Sequence, residues 1–178
     1  LPQISLPSYG GQFPDTTATP ATVKVIHLRE NFITNLPADA FTHLQELLLI
    51  SLSKNAITAV HSGTFAGLEQ LESLSLWSNR IQTLPPRIFS DLIALRILYL
   101  DSNWIVSLPS DLLTRAPTVL KELDYYGNVL TCPTIGTPLK TLGTDKCSCN
   151  AKHDKFVVGM ALLNVNGQLV CASTAPTT

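Results

Sequence analysis

Four asparagines, Asn31, Asn55, Asn79 and Asn103, stand 24 residues apart, each set in the same frame of apolar residues. The frame is clearest around Asn79, where Leu71, Leu74 and Leu76 precede it and Ile81 follows. It returns as Val23, Ile26, Leu28 and Ile33, as Leu47, Ile50, Leu52 and Ile57, and as Leu95, Leu98, Leu100 and Ile105. A fifth copy, with Leu120, Leu123, Tyr125, Asn128 and Leu130, arrives one residue late. A unit this short cannot bury an apolar face by itself. A chain of such units must stack them so that each covers its neighbour.

Within each unit, alternation marks a short strand, with Ile26/Leu28, Ile50/Leu52, Leu74/Leu76, Leu98/Leu100 and Leu123/Tyr125 pointing inward. Stacking pairs these strands in parallel on the concave side. The asparagine that follows turns the chain, and its side chain is placed to bond backbone groups that the turn leaves unpaired. The ladder Asn31, Asn55, Asn79, Asn103 and Asn128 is therefore structural. None of these asparagines heads a glycosylation sequon, and the chain contains none. The second half of the unit repeats as well. Leu36-Pro37, Leu84-Pro85 and Leu108-Pro109 share a step that Val60-His61 replaces once, and Phe41, Phe65, Phe89 and Leu113 lie ten residues beyond each asparagine. Leu44, Leu68, Leu92 and Ala116 follow three residues later. The phenylalanines predict a stacked aromatic spine on the convex side. Short helical or 3₁₀ turns are predicted around 38–44, 62–68, 86–92 and 110–116.

Length and composition suit a soluble globular protein: 178 residues, 45% hydrophobic and 14% charged, with a net charge of −1. Twelve scattered Lys and Arg residues provide no basic stripe, which argues against nucleic-acid binding. No apolar run approaches the roughly 20 residues of a membrane-spanning helix. With no initiator Met and no signal peptide, the sequence reads as a mature or trimmed segment. Cys132, Cys147, Cys149 and Cys171 all follow the repeats. An even set confined to one terminal segment points to two disulfides and an oxidising compartment, and the spacing does not suit zinc. Of the three connectivities, only the one joining Cys147 to Cys149 is sterically disfavoured.

The pattern L-x-x-L-x-L-x-x-N-x-L, closed by L-P-x-x-x-F-x-x-L, resembles the extracellular 24-residue class of leucine-rich repeat, over roughly 20–130. Variable lymphocyte receptors, Toll-like receptor ectodomains and small matrix proteoglycans belong to that class. The resemblance implies an α/β fold: a right-handed leucine-rich-repeat solenoid with a parallel concave sheet and two caps. It divides the chain into an N-terminal cap at 1–22, which lacks the family's cysteines, five repeats at 23–130, a disulfide-containing C-terminal cap at 131–172 and a Thr-rich tail at 173–178. Thr19-Pro20 and Thr22 resemble the entry from such a cap into the first strand, and a short strand is expected near 3–6. Asn128 to Cys132 is similar to the opening of the family's C-terminal cap, without its usual Pro-Trp pair and with the Cys-x-Cys displaced to 147–149. Gly167 to Ser173 resembles the closing segment. The resemblance implies the pairs Cys132–Cys149 and Cys147–Cys171. Residues 156–165 and 168–171, separated by Asn166-Gly167, predict a strand, a tight turn and a returning strand, with a helix over 157–163 as the competitor.

No catalytic template is satisfied. His27, His43, His61 and His153 are dispersed, and neither a phosphate loop, a zinc-protease motif nor a nucleophile elbow occurs. Neither an enzyme, a cofactor nor a metal site is expected. What remains is the set of strand side chains that packing does not use: His27, Arg29, Leu49, Lys54, Ser75, Trp77, Ile97, Tyr99, Asp101, Asp124 and Tyr126. Trp77, Tyr99 and Tyr126 are expected to cluster there as anchors, and Val25, Leu49 and Ile97 to add exposed apolar area. These residues point to recognition of a protein or glycan outside the cell, immune-type recognition being one version. A structural or adhesive module that self-associates as a homodimer is the alternative.

Overall fold

The computed structural model describes residues 3–5, 11–106, 120–124 and 127–129 in full, and the backbone of 155–157, 162–165 and 168–171. Each repeat contributes one three-residue strand. These are β2 (Val25–His27), β3 (Leu49–Ser51), β4 (Ser73–Ser75), β5 (Ile97–Tyr99) and β6 (Glu122–Asp124), and β1 (Gln3–Ser5) lies before them. Strands β1 to β6 pair in parallel in sequence order, and the central residues Ile26, Ile50, Leu74, Leu98 and Leu123 stand in one register. The result is a solenoid of stacked coils, in which every partner of a strand is the same position one repeat away. That follows from the 24-residue period, since identical coils can bury identical edges only by translation.

The core is the set of frame residues. Ile26, Leu28, Ile50, Leu52, Leu74, Leu76 and Leu100 are all fully buried, as are Phe41 and Phe65. On the convex side Phe41 and Phe65 stack with centroids 6.1 Å apart, and Phe65 and Phe89 at 6.2 Å. The turns that carry them are successions of short i→i−3 bonds, such as Ala40 N–H to Pro37 O, Thr42 N–H to Asp39 O and Leu44 N–H to Phe41 O. They are turns rather than continuous helices, because the coil must bend back within a few residues. The expected turn at 110–116, with Leu108-Pro109, Leu113 and Ala116, lies outside the described residues, as do Tyr125 and Leu130.

The asparagines join neighbouring coils. The Asn79 side chain donates to Leu52 O and Leu76 O and accepts from Ile57 N–H. Asn55 and Asn103 make the same bonds one coil earlier and one later. Asn128 accepts from Ile105 N–H and donates to Leu100 O despite its late arrival. The residue just before each asparagine adopts a left-handed backbone: Glu30, Lys54, Ser78, Ser102 and Gly127 have φ between 54° and 68°. The bend at the end of each strand imposes that conformation. Only at 127 does the sequence place the residue that adopts it without strain.

The N-terminal segment without cysteines behaves as a degenerate coil. β1 pairs with β2, and Gly11 O accepts from Thr34 N–H, the same bond that Thr34 O makes with Thr58 N–H one coil on. Phe13 caps the aromatic spine edge-on at 5.3 Å from Phe41, and the buried Thr16 hydroxyl donates to Ala40 O. Packing and backbone bonds hold this cap. At the other end, β7 (Lys155–Val157) runs antiparallel to β6, and β8 (Leu162–Val165) pairs antiparallel with β9 (Gln168–Cys171). The antiparallel pairing of β8 with β9 is that of the expected hairpin, and Val157, Leu162 and Leu163 are strand residues rather than part of a helix. Of the strand expected from 156 to 165, Phe156 and Val157 pair with β6 and Leu162–Val165 pair with β9, while 158–161 lie outside the described residues. The cysteine side chains, the Cys132–Cys149 and Cys147–Cys171 pairings and the tail at 173–178 lie outside the described residues.

Candidate functional site

The concave sheet carries an open groove of about 510 Å³. Its floor is polar and small: Ser51, Ser53, Ser73 and Ser75, with Ser53 Oγ and Ser75 Oγ 2.7 Å apart. Alternation places these side chains outward because Ile50, Leu52, Leu74 and Leu76 occupy the inward positions. Trp77 and Tyr99 rise beside the floor, His27, Arg29 and Leu49 line the N-terminal coils, and Asp101 and Asp124 line the C-terminal ones.

Trp77 is not a bare aromatic, as the sequence pattern suggests. Its ring lies 5.4 Å from the Arg29 guanidinium carbon and 5.3 Å from Lys54 Nζ. It reaches across the second coil, where the small Ser53 leaves room and is itself only 4% exposed. Glu30 holds both cations, with Oε1 3.1 Å from Lys54 Nζ and 3.1 Å from Arg29 Nε. Hydrogen bonds from Lys54 and then Arg29 keep the Glu30 carboxyl below its ordinary pKa. The two cation–π contacts on Trp77 are of a kind worth about 0.5–1 kcal/mol each at exposed sites.

Tyr99 faces the other way. Burial raises its phenol above the ordinary tyrosine value, and the Glu122, Asp124 and Asp101 carboxylates push in the same direction. The expected single cluster of Trp77, Tyr99 and Tyr126 is thus divided between Trp77 on the N-terminal coils and Tyr99 among carboxylates. Tyr126 lies outside the described residues.

Of the remaining outward positions, Lys54 packs on Trp77 rather than lining the groove, and Ile97 is half-buried on its strand. Val25 was expected to be exposed and is buried instead, on the strand that the N-terminal cap covers with β1. Asp101 and Asp124 are also only 4% exposed, so the outward columns are far from uniformly free. The groove adds Ile50, Ser51, Ser53 and Ser73 to the residues that sequence singled out. Small serines give no signal of their own, and only their column positions could have found them. Phe32, 79% exposed with a left-handed φ of 59°, was also missed. It shares its place in the repeat with Trp104, and neither residue lines the groove. No group of three or more His, Cys, Asp or Glu side chains among the described residues could hold a metal ion.

The sequence profile of the family described as Leucine rich repeat matches residues 21–76 and 69–130, more than half of the chain. The chain belongs to the leucine-rich repeat family. No curated protein matches this leucine-rich repeat sequence. Among solved structures, a chain of the LRIM1/APL1C complex matches with a TM-score of 0.57 and 24% identity, over 62% of the present chain and 20% of that one. The present chain thus spans a small part of that longer chain, and at this identity the likeness concerns the fold. Leucine-rich repeats form a scaffold for protein recognition, and no helix among the described residues of this one is long and apolar enough to cross a membrane.

Proposed function

We propose that the concave groove is a non-catalytic recognition surface for a protein ligand outside the cell. The observation that carries this reading is the pair Trp77 and Tyr99 beside an open groove whose side chains the core does not need. Aromatic side chains on a rigid sheet lose little entropy on binding and anchor interfaces disproportionately. The oxidising compartment rests on the four cysteines of the C-terminal segment. Immune-type recognition is one form this function takes.

Partners selected on the wild-type chain from a displayed protein library provide the test. Trp77→Ala and Tyr99→Ala are each expected to weaken their binding by roughly 30-fold, about 2 kcal/mol, as expected of central anchors. Glu69→Ala, an exposed change outside the groove, should leave it intact. Binding that tolerates both aromatic substitutions would sink the reading. Self-association is the alternative, and the burial of Val25 reduces the apolar area available to it. Sedimentation equilibrium separates the two, because a concentration-dependent dimer lost on Trp77→Ala and Leu49→Ser would favour self-association.

A further inference from the structure

Arg29 is the only lysine or arginine among the residues that line the groove. Two contacts hold its half-exposed side chain. Nε donates to Glu30 Oε1 at 3.1 Å, and the guanidinium carbon lies 5.4 Å from the centroid of the Trp77 ring. Among the described residues, the two terminal nitrogens of the fork donate no hydrogen bond. Nor is the charge of Arg29 offset. Glu30 is one carboxylate between two cations, and Lys54, which does not line the groove, already balances it at 3.1 Å. One positive charge is therefore left at this end of the groove. Asp101 stands in the same column three strands on, about 14 Å away at roughly 4.8 Å per strand. That is beyond the screening length of about 8 Å at physiological salt. The floor beside Arg29 can donate as well. Ser53 Oγ lies 2.7 Å from Ser75 Oγ and 3.5 Å from Ser51 Oγ, so three hydroxyl protons share two contacts and at least one remains for a ligand oxygen.

Resting on the reading of the groove as a recognition surface, we propose that Arg29 determines its specificity by taking an Asp or Glu side chain of the protein partner. The carboxylate meets the two terminal nitrogens as a bidentate pair, a planar match that Lys cannot make. Glu30 and Trp77 act as positioning residues. With the guanidinium already held at two points, less side-chain freedom is lost when the partner arrives. A sulfated polysaccharide would need several cations along the groove, and the lining holds one Lys or Arg.

A double-mutant cycle tests this, with partners selected on the full wild-type chain from a displayed protein library. Changing one acidic residue of the partner to Asn or Gln should weaken binding at least about tenfold, and less at high salt. Against the Arg29→Gln chain, the same change should weaken binding no more than about twofold. Arg29→Lys, which keeps the charge and loses the fork, should lose most of the binding that Arg29→Gln loses. The partner-side changes need no altered chain, so misfolding of an Arg29 variant leaves that comparison intact. Partners that lose binding with Trp77→Ala or Tyr99→Ala but tolerate Arg29→Gln, or whose acidic residues do not couple to it, overturn the inference while the groove stands. Partners indifferent to both aromatic changes overturn the groove reading itself, and the inference with it. Failure to select a protein partner, with or without Arg29-dependent retention of a sulfated polysaccharide, overturns the inference.

Discussion

Asn79 shows how much one side chain settles in this fold. It is 6% exposed, and it satisfies Leu52 O, Leu76 O and Ile57 N–H, backbone groups of two coils that water cannot reach. Asn79→Ala should lower stability by about 2–4 kcal/mol, because each group left unpaired costs about 1–3 kcal/mol. Urea denaturation of the two proteins measures it. Tyr99 offers a different handle. Its pKa is raised above 10.0 by burial and then by the Glu122, Asp124 and Asp101 carboxylates. A group with a raised folded pKa contributes stability that is complete below its unfolded value and is lost as pH rises through the folded one. Stability should therefore fall above about pH 10, and Tyr99→Phe should remove that part of the fall. Unfolding midpoints across alkaline pH, read beside phenolate absorbance, provide the check.

Among the elements, the N-terminal cap is the one whose support was least visible in advance. It contains no cysteine, yet β1 continues the sheet and Phe13 closes the aromatic spine against Phe41. In a stack where each coil touches only its neighbours, damage at one end stays near that end. Phe13→Ala should cost about 2 kcal/mol, less than loss of a fully buried Phe. Its signature is local. The amides of Val23 and Thr34, bonded to Pro20 and Gly11, should exchange faster with solvent deuterium, while those of Arg80 and Trp104, in the third and fourth coils, should be unchanged. Uniform acceleration along the chain would show that the solenoid opens as one unit instead.

For the whole molecule, the solenoid was legible because its period is a property of the chain itself. The frame of Leu, Ile and Asn dictates the inward side chains, the parallel register and the asparagine bonds, since translation of one coil onto the next admits a single arrangement of equal edges. The antiparallel pair β8 and β9 was legible for a similar reason, its two strands being separated by only two residues in sequence. The periodicity also identified which side chains the core leaves unused, Trp77 and Tyr99 among them. It could not say what those side chains do instead. That Trp77 spans a coil to meet Arg29 and Lys54, that Tyr99 turns toward Glu122, and that Val25 is covered depend on contacts between residues 22 to 48 positions apart. Those contacts follow from the sizes and charges of neighbours in a column, which the repeat leaves free to vary. The local pattern determined the coil, and only the stacking of coils decided the surface.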